Sequence, residues 1–121
     1  SLSHRVKLCD VIQGDDLVGT YQQADLFFSP SVWEMMPLVV LEAMATGLPA
    51  VVTDISGSQD LVATGETGFV VEPGVTTAMS DALLNLIRDG QLREQFRRTT
   101  LERANDYSWD QISRRYLELA N

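Results

Sequence analysis

The chain has 121 residues, 45% of them hydrophobic, and a formal charge of −8 at pH 7, which suits one globular domain with a real core and is too short for two. The acidic balance argues against nucleic acid as a partner, because a surface that follows a phosphate backbone needs clustered Lys and Arg. No stretch approaches the roughly 18 continuous apolar residues that span a membrane, and no signal-peptide pattern is visible, so a cytoplasmic setting is the expectation.

The opening Ser1-Leu2-Ser3 lacks an initiator Met and leads almost directly into a strand-like run, so the chain is expected to be a piece of a longer protein. Val6 to Val11 alternates enough to predict a short strand, and that pattern expects the lone Cys9 to be a buried thiol. One cysteine excludes an internal disulfide, and His4, the single histidine, has no second His or Cys with which to hold a metal. No Ser–His or Cys–His nucleophile pair is present either. Gly14-Asp15-Asp16 then opens a helix to about Gln23, with acids in its first turn where the helix dipole favours them. Ala24 to Phe28 predicts a second strand, ended by Ser29-Pro30-Ser31.

The next stretch is the most informative. Pro37 suits the first turn of a helix, having no N–H to lose there, and Gly47 with Pro49 marks the end, so a helix is predicted from about Pro37 to Thr46. Leu38, Val39, Val40, Leu41, Ala43, Met44 and Ala45 make it apolar all round, which predicts cover on most sides. Glu42 sits in its middle. An unpaired carboxylate in such surroundings costs several kcal/mol, so Glu42 must reach a cleft, a protein donor or a ligand hydroxyl. Glu34 lies eight residues earlier, in the loop that feeds the helix. Were both helical, they would stand about 12 Å apart along the axis, whereas a glycosidase pair needs about 5 to 9.5 Å. The spacing favours the two ends of an extended ligand, although a loop residue can fold closer. Free N–H groups at the helix N-terminus between the two acids offer a seat for an anion. Carboxylate, phosphate seat and carboxylate in a row suit a nucleotide sugar.

Ala50 to Thr53 predicts a third strand, a short helix follows near Gln59 to Ala63, and Thr67 to Val71 predicts a fourth strand. Nearly continuous apolar strands separated by helices argue for an α/β fold with a parallel sheet covered on both faces. Beyond Glu72-Pro73-Gly74 only helices are predicted. Thr76 or Thr77 would cap the first, with Met79, Ala82, Leu83, Leu86 and Ile87 on its apolar face. The second spans Gln91 to Asn105. Its Arg93, Arg97, Arg98 and Arg103 alternate with Glu94 and Glu102 as a solvated face would. Ser108 would cap the last, Trp109 to Leu119.

Glu34-x7-Glu42, continuing through Ala43-Met44-Ala45-x-Gly47-x-Pro49-x-Val51-Val52, resembles the donor-site signature of the retaining GT-B glycosyltransferases of family four, in their group 1 C-terminal domain. The likeness extends over Leu17-x3-Tyr21-x2-Ala24-Asp25-Leu26-Phe27-Phe28-Ser29-Pro30-Ser31, over Gly65-x2-Gly68-Phe69-Val70-Val71, and over the closing Tyr107-Ser108-Trp109. It implies that residues 1–121 form the later part of a Rossmann-like, nucleotide-sugar-binding domain, a GT-B C-terminal half-domain with about four strands. An N-terminal acceptor domain and an upstream basic pair would be missing.

The resemblance further implies transfer of a hexose from a nucleotide diphosphate sugar to an acceptor hydroxyl, with retention and without a metal or other cofactor. Glu34 would serve the donor sugar near the reacting carbon, and Glu42 would accept from the ribose hydroxyls. Met35, Met36, Pro37 and Leu38 would turn backbone groups toward sugar and phosphate. Met35 and Pro37 replace glycines usual in the family, which restricts the backbone and removes one amide donor. Ser56, Gly57 and Asp60 are further candidates, for which a plain βα turn serves equally well. The chain alone is expected to be inactive, and an exposed sheet edge predicts dimerisation or swapping. Membrane contact is left open. Two other readings stand beside this one: a non-catalytic nucleotide-binding or assembly module of the same fold, and a nucleotide-sugar epimerase. A phosphorylase would need a cofactor lysine, and Lys7 is the only lysine.

Overall fold

A computed structural model describes residues 3–32, 38–55 and 58–105, and of Leu38 the backbone. After a single 3-10 turn at Ser3–Arg5, the elements in order are α1 (Gly14–Gln23), β1 (Phe27–Ser29), α2 (Leu38–Ala45) and β2 (Ala50–Thr53). They continue with α3 (Ser58–Leu61), β3 (Gly68–Val71), α4 (Thr76–Arg88) and α5 (Gly90–Ala104). The three strands form one sheet in the order β1-β2-β3. Both pairings are parallel, with Phe27 opposite Ala50 and Ala50 opposite Gly68.

The strands carry apolar runs because the sheet is covered on both faces. Every residue of central β2 is buried. Its alternate residues serve two cores: Ala50 and Val52 pack with Val40 and Met44 of α2 and with Leu61 and Val62 at and beyond the end of α3, while Val51 packs with Ala82 and Leu86 of α4 and Phe96 of α5. Phe96 meets Phe69 of β3 edge-on at 5.7 Å between ring centroids, an arrangement that aromatic quadrupoles favour. Helix α5 serves both layers, because Ala104 at its far end joins the α2 side. Gly68 makes the tight β2–β3 approach possible, for a Cβ there would lie 1.9 Å from the Ala50 carbonyl oxygen.

Helix α2 ends where the sequence predicts. Gly47 takes φ +79°, its N–H donates to the Met44 carbonyl, and the Leu48 N–H donates to the Ala43 carbonyl. These two bonds close a Schellman turn and satisfy two otherwise orphaned carbonyls. The α4–α5 corner is built from Asp89 and Arg93. Asp89 accepts from the Leu92 N–H at 3.0 Å and so caps α5, and the Arg93 guanidinium donates to the Leu86 and Ile87 carbonyls at the end of α4.

Several expectations are corrected. Val6 to Val11 is not a strand, and the sheet has three strands among the described residues where about four were expected. The alternation breaks at Cys9 and Asp10, and Leu8 and Val11 are 93% and 85% exposed, so no burial offsets the cost of ordering an unpaired strand. Cys9, on the same segment, is accordingly exposed. The strand expected from Ala24 starts only at Phe27, because the Ala24 N–H turns back to the Tyr21 carbonyl to close α1. Neither Thr76 nor Thr77 caps α4: the cap position falls on Val75, without a side-chain bond. The cover expected for α2 on most sides holds: Val40, Ala43 and Met44 are buried, Leu41 and Glu42 half-buried, and Val39 and Ala45 exposed. The solvated-face reading of the late arginines holds for Arg97 and Arg98 but not for Arg93 or Arg103, which reach backbone carbonyls. Ser108 and the helix expected from Trp109 to Leu119 lie outside the described residues.

Candidate functional site

In open α/β sheets ligands bind beyond the carboxyl ends of the strands. The loops that leave β1 and β2 open at that end of this sheet. β1 closes at Ser29 and leads through Pro30 and Ser31 toward α2, and β2 closes at Thr53 and leads through Asp54 and Ile55 toward α3. The two exits are tied together, since the buried Thr53 hydroxyl donates to the Ser31 carbonyl. Asp54 is held in turn: its N–H donates to the Val71 carbonyl and its carboxylate accepts from the Gln59 amide. The start of the segment that carries Glu34 is thereby fixed to the carboxyl end of the central strand.

Glu42 lies a little more than one turn into α2 and is half-buried. Helical side chains lean toward the helix N-terminus, here toward the carboxyl end of the sheet. The donor that such a carboxylate requires is Tyr21 of α1, whose hydroxyl donates to Glu42 Oε2 at 2.8 Å and stands 3.5 Å from the Val39 carbonyl. The Tyr21 ring rests beside Phe27, with centroids 6.3 Å apart. Burial, then the bond to Glu42 and its negative charge, push the Tyr21 phenol up to about 12. It therefore remains a donor throughout the neutral range.

Of the other predicted site residues, Glu34, Met35, Met36, Pro37, Ser56 and Gly57 lie outside the described residues. Leu38 opens α2, so its backbone stands at the N-terminal turn. Asp60 lies exposed on α3, where its carbonyl, not its carboxylate, receives the Arg103 guanidinium at 3.0 Å. Arg103 also reaches the Leu61 carbonyl at 3.2 Å, so α5 fastens α3 in place. Sequence reasoning singled out neither Tyr21 nor Thr53 for a role at the site. The available signal was indirect: a carboxylate on an apolar helix demands a donor, and a tyrosine hydroxyl is one.

A groove of about 590 Å³ opens at the opposite end of the sheet, lined among others by Asp25, Thr46, Arg93 and Arg97. It lies where α1 and α2 finish, and the carbonyl ends of helices disfavour anions. Of its two arginines, Arg93 already serves the end of α4 and Arg97 stands 3.9 Å from Glu94. The groove meets the candidate site at Tyr21, which lines it as well, but among the described residues it offers no free cation for a phosphate.

The chain as a whole agrees with a known family. The family model described as glycosyl transferases group 1 matches residues 1–103. The chain belongs to this family. It is 36% identical over 118 residues to a D-inositol 3-phosphate glycosyltransferase of Corynebacterium urealyticum, covering 98% of this chain and 28% of that protein. Among solved structures, sucrose-phosphate synthase from Thermosynechococcus elongatus superposes with a TM-score of 0.85 at 28% identity, over 98% of this chain and 31% of that one. A TarM variant from S. aureus, in complex with fondaparinux, α-GlcNAc-glycerol and UDP, superposes with a TM-score of 0.75 at 27% identity, over 86% of this chain and 22% of that one. The chain thus spans under a third of the length of these relatives. The expected α/β architecture of the GT-B fold, a parallel sheet with helices, is borne out, with three strands among the described residues. No helix among the described residues is long and apolar enough to cross a membrane.

Proposed function

We propose that residues 1–121 are one partial domain that binds the donor in a retaining glycosyltransferase, the whole protein moving a hexose from a nucleotide diphosphate sugar to an acceptor hydroxyl. The observation that carries this reading is Glu42: a half-buried carboxylate on an otherwise apolar helix, held by Tyr21 at one oxygen and leaning toward the carboxyl end of the sheet. Two vicinal ribose hydroxyls are donors of the kind its other oxygen can accept. Glu34 serves the sugar near the reacting carbon. Backbone groups of residues 35–38 serve sugar and diphosphate, aided by the N-terminal end of α2.

In the proposed reaction the bond between the anomeric carbon and the diphosphate oxygen breaks, and the acceptor oxygen bonds to that carbon from the same face. The acceptor's proton passes to the departing diphosphate. No metal is required, and the protein contributes orientation and stabilisation of the leaving charge, each worth many kcal/mol. The setting is cytoplasmic. The missing acceptor domain accounts for the proposed inactivity of these residues alone, and the free edge of β1 is proposed to pair with further chain, or with a second copy when only these residues are present.

The test is the anomeric configuration of the glycoside that the whole protein forms, read from its NMR coupling constant. The donor's configuration is expected in the product, in the presence of EDTA as in its absence, and Glu34→Gln is expected to lower kcat by about 10- to 100-fold. An inverted product, or a rate abolished by EDTA, contradicts the reading.

A further inference from the structure

We infer that Tyr21 is a positioning residue for Glu42, fixing one carboxylate oxygen so that the other is presented to the ribose hydroxyls of the nucleotide. The inference rests on the ribose role proposed above for Glu42. It goes beyond that role by assigning a residue from a different helix to the recognition of the sugar ring.

The geometry carries it. The Tyr21 hydroxyl spans from α1 to α2 and makes a 2.8 Å bond to Oε2 alone, leaving Oε1 without a protein donor among the described residues. A glutamate has three rotatable bonds, and pinning one oxygen removes most of that freedom before a ligand arrives, which is where preorganisation gains affinity. The choice of donor also matters. Among the described residues no Lys or Arg pairs with Glu42, the ion pair found being that of Arg97 and Glu94. A cation would hold the carboxylate but neutralise it. A phenol holds it and leaves the negative charge, so that a ribose hydroxyl makes the stronger, charge-assisted kind of hydrogen bond. With its pKa raised to about 12, Tyr21 keeps its proton throughout the neutral range. A purely structural alternative exists in the same contact. Helix α1 has no buried residue, and the alternative role of Tyr21 is to dock it; the experiment separates the two.

Affinities of the full-length protein are measured by calorimetry for the tightest binder among UDP, GDP and ADP, beside its 2′-deoxy counterpart, in wild type, Tyr21→Phe, Glu42→Ala and the double variant. Wild type is expected to prefer the ribonucleotide by about 10-fold or more, and Glu42→Ala to abolish that preference. Tyr21→Phe keeps the ring and its contact with Phe27. It is expected to cut the preference by about 3- to 10-fold while leaving the 2′-deoxy affinity within about 2-fold, and to add nothing in the Glu42→Ala background. If Tyr21→Phe weakens both nucleotides alike, or leaves the preference intact, Tyr21 merely docks α1 and the inference is overturned. A preference that survives Glu42→Ala, or that is missing in wild type, overturns the ribose role of Glu42 instead and takes this inference with it.

Discussion

Glu42 remains on an apolar helix because a donor from another helix meets it, and the bond leaves a mark on the donor as well. The Tyr21 phenol rises from 10.0 to about 12, so the folded chain holds that proton more tightly than the unfolded one. The associated stability is fully present below about pH 10 and is lost as pH climbs toward 12. Denaturant unfolding at about pH 9 and about pH 11 should therefore show a steeper alkaline loss in wild type than in Tyr21→Phe; equal losses would contradict the assignment. At this scale the sequence disclosed the problem and not its solution. Glu42 is conspicuous as a charge among Leu38 to Met44, whereas the bond that satisfies it joins residues 21 apart on two helices. No local pattern encodes that distance.

Elements were legible where burial and punctuation agree. β2 and β3 are short apolar runs bounded by Gly, Pro or turn residues, and Gly47 stops α2 by the left-handed conformation that glycine tolerates. Val6 to Val11 misled because alternation signals a strand only where a partner and a core exist to receive it. The caps misled in a different way: Thr76 and Thr77 are good capping types, but Val75 takes the position, and Asp89 caps the helix that follows. Asp89→Ala should cost about 1 kcal/mol in urea unfolding, and no measurable change would rule out that cap. Gly68→Ala should be far worse, since the added methyl meets the backbone of Ala50 on central β2 and the two strands cannot part without losing their pairing. A loss of about 3 kcal/mol or more is expected, checked by the same unfolding curves.

For the whole molecule, the sheet ends at β1 with a free edge among the described residues, and Phe28 on that strand is more than a third exposed. Edges of this kind pair with whatever strand is available. Sedimentation of residues 1–121 alone should show concentration-dependent self-association at micromolar levels, and a strictly monomeric chain would oppose the proposed pairing. The wider context was readable from sequence because Glu34-x7-Glu42 and its neighbours make a pattern that covers most of the chain. The sugar, base and acceptor were not, because they are chosen by backbone detail and by surfaces beyond these residues. The carboxylate of Glu42 is proposed to hold a nucleotide, and calorimetric titration of UDP, GDP and ADP into the full-length protein beside Glu42→Ala tests this. Binding at millimolar or tighter levels, weakened by about 1.5 to 3 kcal/mol in the variant, is the expected result; binding that Glu42→Ala leaves unchanged, or no binding by a demonstrably folded protein, would contradict it.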